Sequence, residues 1–254
     1  SVNALVVFDD GAGPRLYAGG RFTTSGTTSV KYVGKWSGSS WSQVGAGLAS
    51  QVNALAVFNE GAGARLFAGG SFTTVGSTNF NRMARWNGSA WQVVSGGANN
   101  EVLALAPFDD GSGPKLFVGG KFTQVGGSVA ANRIARWSGS SWTALGSGVS
   151  GGTTIQVNSM LPWNDGTATA LYVAGRFTLA GGVTVNLIAK WDGTTWSPLG
   201  SGISGLNQFV GPLTIHNGEL IAGGNFTTAG GVAVNNIARW DGTSWSPLGS
   251  GASN

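Results

Sequence analysis

The sequence predicts an all-β protein, a five-bladed β-propeller with four antiparallel strands per blade, and three observations predict it. Two tryptophans five positions apart recur as Trp36/Trp41, Trp86/Trp91, Trp137/Trp142, Trp191/Trp196 and Trp240/Trp245. Around them AGGRFTTSG, AGGSFTTVG, VGGKFTQVG, VAGRFTLAG and AGGNFTTAG place Phe22, Phe72, Phe122, Phe177 and Phe226 at intervals of 50, 50, 55 and 49 residues. A period in that range marks a stacked or circular repeat array. No segment carries helical apolar spacing, whereas short apolar runs bounded by turn residues recur in every copy.

Repeat 2 shows the elements in order. QVNALAVF, from Gln51 to Phe58, reads as strand a and is closed by the turn Asn59-Glu60-Gly61-Ala62-Gly63; ARLFAGGSFTT follows as strand b. NRMARW, from Asn81 to Trp86, is strand c, and Asn87-Gly88 joins it to AWQVVSGG, strand d. The same junction reads Asp192-Gly193 and Asp241-Gly242, a strong hairpin signal because both residues tolerate positive φ. Leu55 and Val57 alternate with Ala54, Ala56 and Phe58, so each sheet is apolar on both faces, and sheets packed face to face around a circle cover both. Pro107, Pro162 and Pro212 fall in strand a, which puts that strand at a sheet edge, expected to be the innermost one. Gly19-Gly20, Gly69-Gly70 and Gly119-Gly120 lie inside strand b, where close approach of a neighbour explains them; a Trp or Phe is expected there.

The repeats run from residue 2 to about residue 251 without a linker, so one domain is expected over 1–254, with blades at approximately 1–50, 51–100, 101–150, 151–204 and 205–254. The chain starts in repeat phase with a strand a (Val2 to Phe8), as a mature or excised segment would, and ends with a strand d (Trp245 to Gly249). Blades 1 and 5 are then expected to meet through side chains alone. Such a seam is weak, which suits a monomer or weak oligomer, or continuation into a longer parent.

Charged residues are 9% of the chain, against roughly 25% in an average soluble protein, and glycine is 45 of 254. The net charge of +4 comes from 14 basic and 10 acidic residues without a Lys/Arg run, which argues against nucleic acid as a partner. No stretch approaches the roughly 18 apolar residues of a membrane helix, so no membrane insertion is expected. The absence of cysteine excludes disulfides, thiolate metal sites and cysteine nucleophiles. A cysteine-free, Ser/Thr/Gly-rich array with few charges suits an extracellular or cell-surface location.

The order apolar strand, loop, LYAGG or LFVGG, loop, IARWDG, SWSPLGSG resembles the kelch repeat, in which a double glycine ends the second strand and a Tyr and a Trp follow; Trp takes the Tyr place here. LFAGGSFT with IARW is more similar still to the repeats of fungal cortical cell-polarity marker proteins and related bacterial surface repeat proteins. The resemblance covers essentially the whole chain and implies a propeller, not an activity.

Recurrence in every copy assigns the ten paired tryptophans to the structural core, although aromatic rings also stack on sugars. Trp163 stands at the end of strand a, where other copies have Phe8, Phe58, Phe108 and His216, and is expected to be the most exposed aromatic. Trp163 and His216, the sole histidine, are the candidate binding residues. Lys35, Arg85, Arg136, Lys190 and Arg239 each precede the first Trp of a pair, and their stems are expected to pack on aromatic faces with the heads at a carbonyl or ring; a ring of cations binding an anion is the competing reading. The turns Asp9-Asp10-Gly11, Asn59-Glu60-Gly61, Asp109-Asp110-Gly111 and Asn164-Asp165-Gly166 offer too few carboxylates for calcium, which takes roughly six to eight oxygens, and suit turn chemistry. No grouping of catalytic or metal-ligating residues is present, so no enzyme, catalytic residue, metal or cofactor is expected. Where copies differ, at the insertion Gly151 to Ile155 and in the b-to-c loops (Ser25 to Lys31, Val75 to Asn81, Val125 to Asn132, Ala180 to Asn186, Ala229 to Asn235), a specific function has room. The leading reading is a non-catalytic structural or protein-binding scaffold of a secreted or surface protein. The alternative is a lectin with repeated shallow sites for glycan, and the third an enzyme fragment on a kelch-type scaffold.

Overall fold

The computed structural model describes residues 1–205 and 208–253; parts of the expected fifth blade, at 206–207 and 254, lie outside the described residues. All regular structure among the described residues is β-strand, in five four-stranded sheets and five smaller sheets of two or three strands. Each four-stranded sheet is hydrogen-bonded in the order a-b-c-d. In repeat 1 the strands are Val2–Asp9, Pro14–Gly20, Val33–Trp36 and Trp41–Gln43; in repeat 2, Val52–Asn59, Ala64–Gly70, Met83–Trp86 and Trp91–Val93. Repeat 3 has Val102–Asp109, Pro114–Gly120, Ile134–Trp137 and Trp142–Ala144; repeat 4, Gln156–Asn164, Thr169–Arg176, Ile188–Trp191 and Trp196–Pro198. Repeat 5 has Phe209–His216, Glu219–Asn225, Ile237–Trp240 and Trp245–Pro247. Strand a is an edge strand in every sheet, where Pro107, Pro162 and Pro212 forfeit no ladder bond.

Turn chemistry sets the strand ends. The c-to-d hairpins enclose four residues between the two tryptophans, and only the glycine is left-handed, at φ 99° for Gly88 and 108° for Gly193. The preceding Asn or Asp does not take positive φ as expected; its side chain caps the loop instead, Asn87 Oδ1 accepting from the N–H of Ser89 at 2.9 Å and of Ala90 at 2.8 Å. At the a-to-b turn Asn59 Oδ1 accepts from Gly61 N at 2.9 Å and Gly63 N at 3.2 Å. The b-to-c segments are more ordered than the loops expected from sequence. Each opens with a two-residue hairpin, such as Thr24–Ser25 with Thr28–Ser29, too short for periodicity to register.

Contacts divide the chain into two compact units, one holding Ser1–Pro107, Lys115–Ala131 and Ala135–Thr143, the other Phe108–Pro114, Asn132–Ile134 and the chain from Ala144 onward. In the first unit, strand a of one repeat packs on strand b of the repeat before. A Cβ on Gly19 would lie 2.5 Å from Val52 Cγ1, and one on Gly69 2.4 Å from Val102 Cγ1. The first glycine of each of these pairs therefore meets a valine, not the expected aromatic. The second abuts a carbonyl oxygen, of Ser1 at Gly20 and of Gln51 at Gly70, each 2.2 Å from the would-be Cβ, with the Phe22 and Phe72 rings at 3.0 and 3.1 Å. Polar bonds fix the same junctions: Asn3 Nδ2 donates to Val52 O at 3.0 Å, Asn53 Nδ2 to Val102 O at 2.9 Å, Trp91 Nε1 to Val44 O at 3.0 Å and Trp142 Nε1 to Ser95 O at 2.9 Å. The second unit repeats the scheme, with Asn158 Nδ2 on Val210 O at 2.8 Å and Trp245 Nε1 on Leu199 O at 2.9 Å. Past strand d the chain crosses to the next repeat, where Val149–Ser150 pairs with Leu179–Ala180 and Ile203–Ser204 with Thr228–Ala229.

Candidate functional site

The paired tryptophans face each other across the c-d hairpin, Trp86 opposite Trp91 and Trp191 opposite Trp196. Their rings are tilted by 50° to 56° with centroids 5.1 to 5.5 Å apart, an arrangement worth about 0.5 to 1.5 kcal/mol beyond area burial. Trp86, Trp91, Trp137, Trp142, Trp191, Trp196, Trp240 and Trp245 are buried, while Trp36 and Trp41 of repeat 1 stand half-buried.

The strand-c cations do not end on a carbonyl or ring as their first partner. In repeats 1, 2, 4 and 5 the head meets a carboxylate at its own repeat's a-to-b connection: Lys35 with Asp10 at 2.6 Å, Arg85 with Glu60 at 2.6 Å, Lys190 with Asp165, and Arg239 with Glu219 at 3.2 Å. Tyr17 and Tyr172, on the intervening strand b, donate to the same carboxylates at 2.7 and 3.1 Å. Burial opposes ionisation of Asp10 and Asp165, but Lys35 with the Tyr17 hydroxyl, and Lys190 with Thr167 and the Tyr172 hydroxyl, together outweigh it and hold both carboxyls below the usual carboxylate range. Burial, and then the adjoining carboxylate, push the Tyr17 and Tyr172 hydroxyls far above the usual phenol value. In repeat 2 the longer Glu60 bridges repeats: one oxygen takes Arg85 and the other accepts from Trp137 Nε1 at 2.6 Å. The sequence reading missed these pairs, although a signal existed. Asp with Tyr and Lys recurs as Asp10/Tyr17/Lys35 and Asp165/Tyr172/Lys190, whereas Glu60 and Glu219 go with Arg85 and Arg239 and no Tyr.

Trp163 is placed otherwise than expected. It is 7% exposed, its ring centroid 5.0 Å from that of Tyr172, and it belongs to the core of the second unit with Leu213 and Trp240. It fills the place of Phe8 on Tyr17 and Phe58 on Phe67, so it presents no ring to a ligand. His216 is exposed, at the end of strand a, before a two-residue turn with φ 50° at Asn217 and 82° at Gly218. The two candidate binding residues are thus unlike in surroundings.

The insertion before repeat 4 does border a cleft. Gly151, Gly152, Thr153 and Thr154 line about 280 Å³ with Arg176 and Gln208, and Thr154 and Arg176 also line a neighbouring cleft of about 430 Å³ with Asn158 and Phe209. Arg176 Nη1 donates to Thr154 Oγ1 at 3.2 Å, and its guanidinium lies 5.4 Å from the Phe209 ring centroid. Hydroxyl, amide and guanidinium groups of this kind hold polar ligands; they provide no nucleophile with an adjacent base. Among the described residues no three His, Cys, Asp or Glu side chains converge as a metal site would need.

The sequence model of the Rax2 C-terminal β-propeller domain matches residues 1–198, and that of the DUF5122 β-propeller, a domain of unknown function, matches residues 217–240. No curated protein sequence matches the chain. Among solved structures, the computationally designed Ika8 protein is similar with a TM-score of 0.53 and 14% identity, over 96% of this chain and 59% of that one. The extracellular domain of the hybrid two component system BT4673 from B. thetaiotaomicron is similar with a TM-score of 0.57 and 14% identity, over 94% of this chain and 26% of that one. The chain thus spans less than two thirds of either solved chain, and at this identity the likeness concerns fold alone.

Proposed function

The chain belongs to the family of the Rax2 C-terminal β-propeller domain, and from that footing we propose that it is a five-bladed, non-catalytic scaffold of a secreted or surface protein, structural or protein-binding in role. One observation carries the reading. In repeats 1, 2, 4 and 5 the acid that a catalytic or calcium site would need is neutralised by a cation of the same repeat, three of these acids being almost wholly buried by the pairing. Chemistry-bearing side chains are used up in holding strands a, b and c together, and the indoles in joining repeats. The composition, with few charges and no cysteine, supports exposure to the outside of a cell.

A glycan array probed with the purified chain, together with metal analysis, tests this. The scaffold reading expects no glycan binding and no stoichiometric metal. Multivalent glycan hits weakened by substitutions at equivalent b-to-c positions would replace it with a lectin, and stoichiometric copper or zinc would replace it with an enzyme.

A further inference from the structure

Glu101 shows what one place in the repeat can hold. It faces Lys121 across strands a and b of repeat 3: the Lys121 N–H donates to the Glu101 carbonyl at 2.9 Å, and the ammonium meets Glu101 Oε2 at 2.7 Å. The other carboxylate oxygen, Oε1, accepts from Ser71 Oγ of repeat 2 at 2.9 Å. One acid thus serves the strand-b end of its own repeat and that of the repeat before.

Repeat 4 keeps the cation and has the acid on neither side. Arg176 stands at the place of Lys121, and the residue opposite it is Gln156, the uncharged counterpart of Glu101. The Gln156 amide nitrogen is engaged with Asn158 Oδ1 at 2.6 Å. In repeat 5, Phe209 takes the place from which Glu101 reaches back to Ser71, and it offers Arg176 a ring whose centroid lies 5.4 Å from the guanidinium. Among the described residues Arg176 meets no carboxylate; its hydrogen-bond partner is Thr154 Oγ1 of the insertion, at 3.2 Å.

The half-buried Arg176 lines both clefts beside the insertion, of about 280 and 430 Å³, and all their described lining residues belong to the second compact unit. None of those residues is an acid. With the Phe209 ring shielding one side from water, the guanidinium holds a carboxylate more firmly than a fully solvated one would.

We propose that this cleft is a binding site for a glutamate side chain of an extended peptide, its carboxylate taking on Arg176 the place that Glu101 holds on Lys121. The two clefts meet at Arg176 and Thr154, so the peptide chain has room on either side of the glutamate. The inference deepens the protein-binding form of the scaffold reading and rests on it.

Titration of the whole chain, labelled with nitrogen-15, with acetyl-Ala-Ala-Glu-Ala-Ala-amide tests it through the amide shifts. Saturable shifts are expected at the insertion, and the same peptide with Gln in place of Glu should bind about tenfold more weakly or worse. Arg176→Gln should lose as much. Arg21→Gln, which removes an equal charge from the exposed matching place in repeat 1, should bind as the parent does. Gln156→Glu is the stricter variant: it keeps the guanidinium and supplies an internal carboxylate on the pattern of Glu101, so it should keep the parent's thermal midpoint or exceed it and no longer take the peptide. Equal binding of the Gln peptide, undiminished binding by Gln156→Glu, or no saturable shift up to the peptide's solubility limit would overturn the proposal. Saturation by glutarate but not by the peptide would overturn it too, reassigning the cleft to a small acid. Absent peptide binding with a silent glycan array and no metal would remove this site and leave the scaffold, whereas glycan hits or stoichiometric metal beside intact peptide binding would remove the scaffold reading alone.

Discussion

Adding one methyl group at Gly69 tests whether a bare strand-b backbone seats the strand a that follows. The Cβ of Gly69→Ala would lie 2.4 Å from Val102 Cγ1 and 3.1 Å from its Cβ, while carbon pairs rest at about 3.5 to 4.0 Å. Val102 is fully buried and, being β-branched, has few rotamers to escape into. Overpacking of this kind costs about 1 to 3 kcal/mol, offset by about 0.5 to 1 kcal/mol from replacing glycine within a strand. Val102→Ala alone removes two buried methyl groups at a cost of about 1 to 3 kcal/mol. In the double variant the obstructing Cγ1 is gone and the added methyl occupies part of the space, so the two changes should couple favourably by about 1 kcal/mol or more. Equilibrium urea unfolding of the four proteins, followed by tryptophan fluorescence and compared at common slope, measures this coupling. Strictly additive losses, or a harmless Gly69→Ala, would refute the reasoning. Repeat 4 shows what accommodation requires: Ala174 stands in the glycine place, and strand a of the following repeat has a wider irregularity, from Val210 to Leu213 where repeat 2 has Val52 to Ala54.

Further outcomes follow from the same contacts. Trp142→Ala should cost about 3 to 5 kcal/mol and Trp142→Phe less, the remainder reflecting the Ser95 carbonyl left without its indole donor; equal losses would deny that bond a role. Glu60→Ala strands Arg85 and the Trp137 N–H together and should destabilise by about 3 kcal/mol or more, with Glu60→Gln retaining part by keeping an acceptor for the indole. Trp163→Phe, which restores the residue found in repeats 1 to 3, should cost under about 1.5 kcal/mol, as thermal unfolding would show. Stability should also fall at both pH extremes. Asp10, Glu101, Asp165, Asp192 and Asp241 are all held below the ordinary carboxylate range, Glu101 by Lys121 first and Asp192 and Asp241 first by backbone N–H groups of their hairpins. Their folded values lie below their unfolded ones, so their contribution is complete above about pH 4 to 5 and is lost as pH falls through the folded values. Tyr17 and Tyr172 have raised values, so theirs is complete below about pH 10 and is lost as pH rises further. A thermal midpoint that climbs on acidification would contradict the assignment.

The sheets were legible because their signals are local. Alternation in Val52–Asn59, prolines in strand a and the Trp-x-Gly-x-x-Trp hairpins each depend on neighbours along the chain; strand a stands within a residue of where periodicity puts it, while strands b and d of repeat 2 end at Gly70 and Val93, short of the runs ARLFAGGSFTT and AWQVVSGG. What lay across repeats was legible only in part. Paired glycines announce a close neighbour, but whether valine, carbonyl or ring fills the notch depends on how sheets are offset, which no single repeat records. Trp163 looked exceptional because its type differs from Phe8 and Phe58, yet the position is the same core site, and a larger ring over Tyr172 fills it. The carboxylate partners of Lys35 and Arg85 lie 25 residues upstream on another strand. Only comparison of covarying types between repeats would have joined them.

The central claim is that repeats 2 and 3 are each seated on the repeat before by strand a against bare glycine and by an indole on a carbonyl. An experimental structure of the chain tests it most directly. The account predicts Val52 and Val102 against Gly19 and Gly69, with the Trp91 and Trp142 indoles on the Val44 and Ser95 carbonyls. Sheets stacked in any other offset, with those indoles turned to solvent, would contradict it.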